Sequence, residues 1–380
     1  MKVVHITTSD MGVRYLLFDQ LRYLAEAGHA VSAVCGPGPW VEEVRAAGIA
    51  VHTIPLTRRI DPVADLRAVT SLARHLVRTR PDLIHTHTPK ASLLGQWVSA
   101  AVRVRHRVHT IHGLYFPGHM RPRDRWRYVW LERLQMAPAH LILSQNAEDL
   151  ETVRRDRIAA PAKLRFLGNG IDIQRFVPAM RDRRPSVLAK LGIPEDHAVV
   201  GMVGRLVREK GYPELFEAAR AVFAARPNTT FVAIGGEEPL KADGIARDDL
   251  AVRALGDAFR FLGHREDMAE LYGAMDLLVL PSHREGFPRA PMEAAATGVP
   301  VVATDIRGCR DTVVNGETGT LVPLRDPAAL AAAILDLLRD PARRSRMGAA
   351  GRRLAEERFD QRTVFGRVAA AYAELEGPRR

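Results

Sequence analysis

Cysteine is nearly missing from this chain: Cys35 and Cys309 are the two in 380 residues. They stand far apart without metal-type spacing, which argues against a disulfide framework and fits a reducing compartment, the cytoplasm being the simplest. Long hydrophobic runs are missing too. Nowhere do about 18 apolar residues follow one another, so no membrane-spanning helix is expected. After Met1 and Lys2 the run Val3-Val4-His5-Ile6 turns polar at once, so no signal-peptide core is expected either. No segment is biased enough to suggest disorder or low complexity. There is no zinc-finger, RNP-type or helix-turn-helix signature, and the arginines are scattered over many segments, which sets nucleic acid aside as a partner.

What is there is an ordinary globular composition, 47% apolar and 26% charged, with a formal net charge of +11. That excess of cations favours anionic lipid, polyanions or phosphate-bearing substrates without choosing among them. The length exceeds what one core usually fills, so two domains are expected, both α/β. Short β-branched runs alternate with amphipathic stretches through the first half: Val3–Thr7, Ala30–Cys35, Leu83–Thr86, Arg107–His112 and His140–Ser144 read as strands. Tyr15–Ala27 reads as a helix carrying Leu16, Leu17, Leu21 and Leu24 on one face and stopping at Gly28. Pro178, Pro185 and Pro194 then punctuate a basic stretch, and a second alternating series follows with strands at Ala198–Val203, Thr230–Ile234, Phe259–Leu262, Leu277–Leu280, Val299–Ala303 and Gly319–Val322. Tyr212–Ala225, Pro327–Arg339 and Glu356–Glu374 read as helices. The expected layout is a Rossmann-like domain over 1–176, a linker over 177–196, a second Rossmann-like domain over 197–355, and a C-terminal helix over 356–380 packing back toward the first domain. Two open parallel sheets bind ligands beyond the carboxyl ends of their strands, so a cleft lined by strand-to-helix loops is expected between them.

The most informative loop runs Pro281-Ser282-His283-Arg284-Glu285-Gly286-Phe287-Pro288-Arg289-Ala290-Pro291-Met292-Glu293. Strand passes into loop and loop into helix, with Glu285 before the helix and Glu293 about two turns inside it. A helix N-terminus attracts a phosphate, and carboxylates hydrogen-bond vicinal hydroxyls, so this arrangement suits a nucleotide sugar. A capped helix with solvated carboxylates is the plain alternative. Cations come from Gly204-Arg205-Leu206-Val207-Arg208-Glu209-Lys210-Gly211, where Arg205 and Lys210 flank a turn and Arg208 reads as solvated.

Taken with His85-Thr86-His87-Thr88-Pro89-Lys90-Ala91, Thr110-Ile111-His112-Gly113, Gly168-Asn169-Gly170-Ile171-Asp172 and Asn315-Gly316-Glu317-Thr318-Gly319, these segments resemble family-4 glycosyltransferases of the GT-B fold. The resemblance is to the branch that builds bacterial capsules, O-antigens and other surface glycans, and it spans nearly the whole chain. It implies a retaining, metal-independent transferase acting on a nucleotide-diphosphate sugar, UDP being the commonest choice, with an N-acetylhexosamine as the preferred guess. Glu293 would bind the ribose, Glu285 the donor-sugar hydroxyls, and Arg205 with Lys210 the diphosphate. His112 would hydrogen-bond the transferring sugar. The main chain at Gly286, Phe287, Pro288 and Arg289 would cap the phosphates, that at Gly263 and Arg265 would hold the base, and Gly12 and Gly204 would complete the donor contacts. His87, Lys90 and Tyr115 are candidates on the acceptor side. No cofactor and no metal are implied, since the nucleotide sugar is a substrate. Two positions depart from the family pattern: Asp10-Met11-Gly12-Val13 has one glycine where a pair is common, and Pro288 removes an amide donor.

Three questions stay open on residues alone. His112 at a strand end is equally a structural histidine. His85, His87, His109 and His112 raise a zinc question, but no cysteine or carboxylate nearby closes a ligand set. Arg121–Leu134 mixes arginines with Trp126, Tyr128 and Trp130, which suits either an anionic membrane surface or a helix burying Trp130, Leu131 and Leu134. The basic stretch Arg58–Arg80 favours peripheral contact with the cytoplasmic membrane and a polyprenyl-diphosphate-linked or other glycan acceptor. The rival readings are a soluble small-molecule acceptor, a nucleotide-sugar 2-epimerase and a silent nucleotide-sugar-binding subunit.

Overall fold

The computed structural model describes residues 1–57, 61–116, 120–238, 243–245 and 255–377, and Arg58 and Arg59 of the basic stretch lie outside them. The described residues divide into two compact units, one comprising Met1–Gly168 with Arg362–Arg380, the other Asn169–Gln361.

Unit 1 is built on a seven-stranded parallel sheet: β1 (Lys2–Ile6), β2 (Ala30–Cys35), β3 (Ala50–Thr53), β4 (Leu83–Thr86), β5 (His106–Ile111), β6 (Leu141–Ser144) and β7 (Leu164–Phe166), in the order β3-β2-β1-β4-β5-β6-β7. Every residue of β4 and β6 is buried, as parallel strands covered by helices on both faces require. The helices used below are α1 (Phe18–Glu26), α2 (Pro62–Thr79), α3 (Pro89–Ala101), α4 (Pro122–Met136) and α5 (Ala147–Arg155). Helix α2 illustrates how they are made. Asp61 caps it by accepting from the Val63 and Ala64 amides, a proline opens it, and Ala68, Leu72 and Leu76 recur every fourth residue on its buried face. Tyr15–Ala27 is not one regular helix: Val13–Leu17 forms a π-helical turn ahead of α1. The extra residue in that turn rotates the chain so that Val13, Leu17, Leu21 and Leu24 all reach the core while Leu16 stays partly exposed.

Unit 2 carries a six-stranded parallel sheet: β8 (Ala198–Val203), β9 (Thr229–Ile234), β10 (Phe259–Gly263), β11 (Leu277–Leu280), β12 (Val301–Thr304) and β13 (Gly319–Val322), in the order β10-β9-β8-β11-β12-β13. Its helices include α6 (Tyr212–Ala225), α7 (Arg289–Ala296), α8 (Pro327–Arg339) and α9 (Pro341–Arg358). Residues 177–196, expected as a linker, are part of this unit: Val187, Leu188 and Ile193 are buried in its core, and Arg184 bonds Asp276 at 3.0 Å. Prolines read as linker punctuation instead start short helical segments at Pro178 and near Pro185. The last helix, α10 (Gln361–Glu376), returns to unit 1 and buries Val364, Val368, Ala371 and Tyr372 against β1, β4, β5 and β6 residues.

Candidate active site

In unit 2 the strand order runs outward on both sides from the neighbours β8 and β11, although β9 and β10 lie between them in sequence. Ligands of open parallel sheets bind past the carboxyl ends of such a switch-point pair. The loops leaving this pair are those that carry Arg205, Lys210 and Glu285, and they touch. Gly211 has φ +78°, and a Cβ there would stand 2.0 Å from the Pro281 carbonyl oxygen, so the approach admits only glycine. Beside it Lys210 Nζ donates to Glu285 Oε1 at 2.6 Å, and Ser282 Oγ donates to the same oxygen at 2.7 Å. The Lys210 and Glu285 side chains are 19% and 10% exposed, so the charges are held in a mostly dry setting. Arg205 turns to Glu238, with N–O separation 3.2 Å, and is more open. The Gly204 carbonyl accepts from the Tyr212 hydroxyl at 2.8 Å, which pins the start of this loop to α6. The Glu285 loop is braced to the same region by His283 with Glu214 and by Arg284 with Glu209, both at 2.8 Å.

Helix α7 begins next to these groups. Pro288 precedes it and gives it no side-chain cap, and the positive end of the helix dipole lies at this N-terminus. Glu293 is the fifth residue of α7, little more than one turn inside rather than the two expected. Its carboxylate accepts from the Tyr272 hydroxyl at 3.0 Å and faces Arg289 at 3.4 Å. Burial, then the Glu293 charge, pushes the Tyr272 phenol well above its usual range, so it stays a donor. The Gly286 main chain lies against Gly308, where a Cβ would stand 2.5 Å from the Gly286 oxygen. The Phe287 carbonyl accepts from the Asn169 amide at 2.9 Å. Gly263 (φ +69°) ends β10 and Arg265 follows it, two strands from β8, and Arg265 is paired with Asp267 at 2.5 Å. Unit 2 therefore carries the predicted donor residues other than Gly12, at or beyond the carboxyl ends of its strands.

Unit 1 has its own switch point between β1 and β4. Gly12 is not in an open loop: it has φ −63° in a short helical turn, and a Cβ there would stand 2.6 Å from Thr7 Oγ1. Its small size is used inside unit 1. Lys90, in the first turn of α3, forms an ion pair with Asp65 of α2, and Tyr115 is exposed. His87 and His112 meet, Nδ1 to Nε2 at 3.2 Å. They join a buried set that sequence reading left incomplete, because it omitted His5 and Tyr372. The sheet register places His5 beside His85, and Tyr372 arrives from α10. Ligand nitrogens of His5, His85 and His87 lie within 4.8 Å of one another. They are committed to hydrogen bonds, His5 Nδ1 to His87 Nε2 at 2.9 Å and His85 Nδ1 to the Tyr372 hydroxyl at 2.7 Å. No acidic group acts on any of the three, so a buried dication would have no neutralising charge there. Burial holds these imidazoles neutral, lowering His5 to about 3 and His112 to about 4, with the Gln145 side chain pulling His112 the other way.

The family model described as "Glycosyl transferases group 1" matches residues 184–354, and the one described as "Glycosyl transferase 4-like domain" matches residues 12–170. The chain belongs to the family-4 glycosyltransferases. Within them it sits with the branch that builds bacterial surface glycans. This family-4 chain is 27% identical to the capsular polysaccharide biosynthesis glycosyltransferase CapM of Staphylococcus aureus, over 98% of this chain and 96% of that one. It is 28% identical to the UDP-Gal:alpha-D-GlcNAc-diphosphoundecaprenol alpha-1,3-galactosyltransferase of Escherichia coli, covering 86% and 84%. It is also 30% identical to the D-inositol 3-phosphate glycosyltransferase of Geodermatophilus obscurus, covering 96% and 85%. Among solved structures, HepE of Anabaena in complex with UDP-glucose superposes with a TM-score of 0.82 at 23% identity, covering 98% of this chain and 99% of that one, which establishes the shared GT-B fold.

Helix α4 corrects one expectation on residues. Its buried side chains are Glu132, Gln135 and Met136, whereas Trp126, Trp130 and Leu131 are 63%, 56% and 48% exposed. The helix does not bury Trp130 and Leu131. Burial pushes the Glu132 carboxyl up to about 8, aided by the Asp149 charge, so it sits inside as the neutral acid. No described helix is long and apolar enough to cross a membrane.

Proposed function

We propose that this chain is a retaining, metal-independent transferase that moves an N-acetylhexosamine from a UDP-sugar to a polyprenyl-diphosphate-linked glycan. The observation that carries the reading is the Lys210–Glu285 pair at the unit 2 switch point, beside the N-terminus of α7. Glu285 takes donor-sugar hydroxyls while Lys210 stays within reach of the diphosphate. Arg205 is paired through one nitrogen with Glu238 and keeps donors for the same phosphates. Glu293, held by Tyr272, takes the ribose hydroxyls. The main chain of Gly286 to Arg289 follows the phosphates, and that of Gly263 and Arg265 holds the base.

In the transfer step the bond between the anomeric carbon and the leaving phosphate oxygen breaks, and a bond to the acceptor oxygen forms on the same face. The acceptor proton goes to the leaving phosphate. Negative charge grows on that phosphate, where Arg205, Lys210 and the α7 amides stabilise it, so no side-chain nucleophile is needed. His112 hydrogen-bonds the transferring sugar, and His87, Lys90 and Tyr115 act on the acceptor. No cofactor enters the scheme.

The lipid-linked acceptor is favoured by the outward aromatic face of α4. Trp126, Trp130 and Leu131 stand exposed on a helix that also exposes Arg123, Arg127 and Arg133 and is preceded by Arg121, and Trp97 of α3 is 47% exposed. Aromatic and cationic side chains together suit an anionic membrane surface, which supports a site of action on the cytoplasmic face of the membrane. The Escherichia coli relative is named for a diphosphoundecaprenol-linked acceptor. A soluble acceptor is the second reading, favoured by the name of the inositol-phosphate relative.

The test is release of nucleoside diphosphate from UDP-, GDP- and dTDP-sugars with EDTA present and with a bacterial lipid extract added or omitted. Release from one UDP-sugar that requires lipid supports the proposal. Release that EDTA abolishes would refute metal independence, and release driven by inositol phosphate without lipid would favour the second reading. Interconversion of donor without acceptor would identify an epimerase. Donor binding without any turnover would identify a silent subunit.

A further inference from the structure

Unit 2 contains a second concave place, a pocket of about 520 Å³ whose lining includes Arg181, Asp276, Pro300, Arg344, Ser345 and Arg352. It lies at the opposite end of the sheet from the donor residues. Asp276 stands just before β11 and Pro300 just before β12, whereas Glu285 follows β11 at its far end. The four residues of β11 span about 13 Å, so the two places do not merge.

Two elements bring guanidiniums to this pocket: Arg181 comes from the short helical segment Pro178–Arg183, and Arg344 and Arg352 come from α9. Each is fixed along one edge by main-chain carbonyls. Arg181 Nη1 donates to Met275 at 3.2 Å, Arg344 Nη1 to Leu337 and Leu338 at 2.7 and 2.9 Å, and Arg352 Nη1 to Ile173, Phe176 and Ala296 at 3.1, 2.8 and 3.1 Å. Arg352 Nε donates to Glu356 at 2.7 Å. The other edges are unused. Among the described residues Nε and Nη2 of Arg181, Nε of Arg344 and Nη2 of Arg352 have no hydrogen-bond partner, and none of them is sealed from solvent.

The charge around the pocket does not balance. Asp276 is the one acid among the lining residues, and its Oδ2 already accepts from the Val199 amide at 2.9 Å and from Arg184 at 3.0 Å. Its Oδ1 is 3.7 Å from Arg344. With Arg184 and Glu356 included, four guanidiniums meet two carboxylates, an excess of two positive charges. Arg226 and Asp340, which also act on Arg344, cancel each other in that count. Burial lowers both Arg181 and Arg344 from the ordinary arginine value, Asp276 pulling them back up and the neighbouring guanidiniums pushing them down. A purely structural role accounts for the carbonyl-bound edges but not for the surplus charge.

We propose that this pocket binds a phosphate monoester, its dianion seated among Arg181, Arg344 and Arg352 and its organic part against Pro178, Pro300 and Pro341. A phosphate monoester carries close to two negative charges at neutral pH, which matches the excess, and fixed guanidinium edges suit its oxygens. The volume falls within the range of about 300–1,000 Å³ typical of small-molecule sites, more than a bare ion fills.

The test is binding of glycerol 3-phosphate to the full-length protein, read by thermal melts at pH 7.5 with ionic strength held constant by sodium chloride. K210A reports any binding at the donor residues instead. At ten times its Kd the ligand should raise Tm by roughly 3–5 °C in wild type and K210A alike. Ser345 is exposed, and its hydroxyl holds nothing among the described residues, so Ser345→Asp adds a carboxylate at the rim at no cost in contacts. S345D should abolish the rise while its ligand-free Tm stays at or above that of wild type. Arg181→Gln should weaken binding at least tenfold, and glycerol should leave Tm unchanged. No rise in wild type, a rise lost in K210A, or an undiminished rise in both S345D and R181Q would overturn the site. Inorganic phosphate bound tenfold tighter than glycerol 3-phosphate would overturn the ligand class. None of these readouts involves sugar transfer, so the site and the proposed function stand or fall separately.

Discussion

Replacing Lys210 by alanine separates what this side chain does for the fold from what it does for the reaction. Its Nζ is 2.6 Å from Glu285 Oε1, and the carboxylate is 10% exposed. Without Lys210 the Glu285 charge keeps the Ser282 hydroxyl at 2.7 Å and little else. A partly buried charge stripped of its partner should destabilise unit 2 by roughly 1–3 kcal/mol, less than a fully enclosed pair because a loop opening admits water. That is a fall in Tm of a few degrees up to about 10 °C for a unit this size. The effect on turnover is separate. If the ammonium stabilises charge on the leaving phosphate, K210A should lower kcat by roughly 10²–10³, or about 3–4 kcal/mol of transition-state stabilisation, with a smaller change in KM. K210A/E285Q removes the orphaned charge, so its Tm should recover part of the loss while its rate stays low. The assay is nucleoside diphosphate release at saturating donor, alongside a thermal melt. A wild-type kcat in K210A would refute the leaving-group role.

Other positions give independent checks. Gly211→Ala places a Cβ 2.0 Å from the Pro281 oxygen at φ +78°, so Tm should fall by more than the ~1–2 kcal/mol of a left-handed alanine alone; a melt within one degree of wild type would contradict the packed loop pair. Tyr272→Phe removes the hydroxyl that holds Glu293 at 3.0 Å and should raise the donor KM several-fold with kcat nearly kept, measured by donor titration. Asp276 accepts from the Val199 amide and from Arg184, so Asp276→Ala should destabilise by roughly 2–4 kcal/mol in urea unfolding. Stability should fall steeply in mild acid. His5 and His109 are lowered to about 3, His112 to about 4, and His85 and His87 well below the ordinary 6.5, so below pH 6.5 the unfolded chain binds protons that the folded one refuses. Glu132, raised to about 8, has the opposite sign, but it is one group against five histidines. Urea midpoints at pH 7.5, 6.0 and 5.0 should decline in that order, and equal midpoints would be incompatible with neutral buried imidazoles.

Why some of this could be read from sequence and some could not has physical reasons. Strands such as Ala30–Cys35, Leu277–Leu280 and Gly319–Val322 fall where expected because buried parallel strands are short β-branched runs bounded by turns. Ala50–Thr53 and Leu164–Phe166 were missed because a histidine and an arginine interrupt their short apolar runs, Ala-Val-His-Thr and Leu-Arg-Phe. Glu285 and Lys210 were legible as charged side chains in loops, but their contact depends on Gly211 letting two loops meet. Helix α4 stayed open between two readings. A pattern argument buries tryptophan and exposes glutamate, and this helix does the reverse because Glu132 is held neutral inside. Nothing local in the sequence links Tyr372 to His85, since 287 positions separate them.

That long return has a consequence for synthesis. Unit 1 starts the chain, yet four of its core residues, Val364, Val368, Ala371 and Tyr372, emerge only after all of unit 2. At typical elongation rates of about 5–20 residues per second the opening sheet waits roughly 10–40 s for its final helix. During that interval the face formed by Val3, Leu83, Val108 and Leu141 has Leu24 and Leu167 beside it but lacks the cover of α10. The second unit is therefore the one that can close first on the ribosome, and the first depends on chaperones, or on its own partial structure, until translation ends. A fragment ending at Gly168 would be caught permanently in that waiting state, whereas one spanning Asn169 to Gln361 carries its whole core with it.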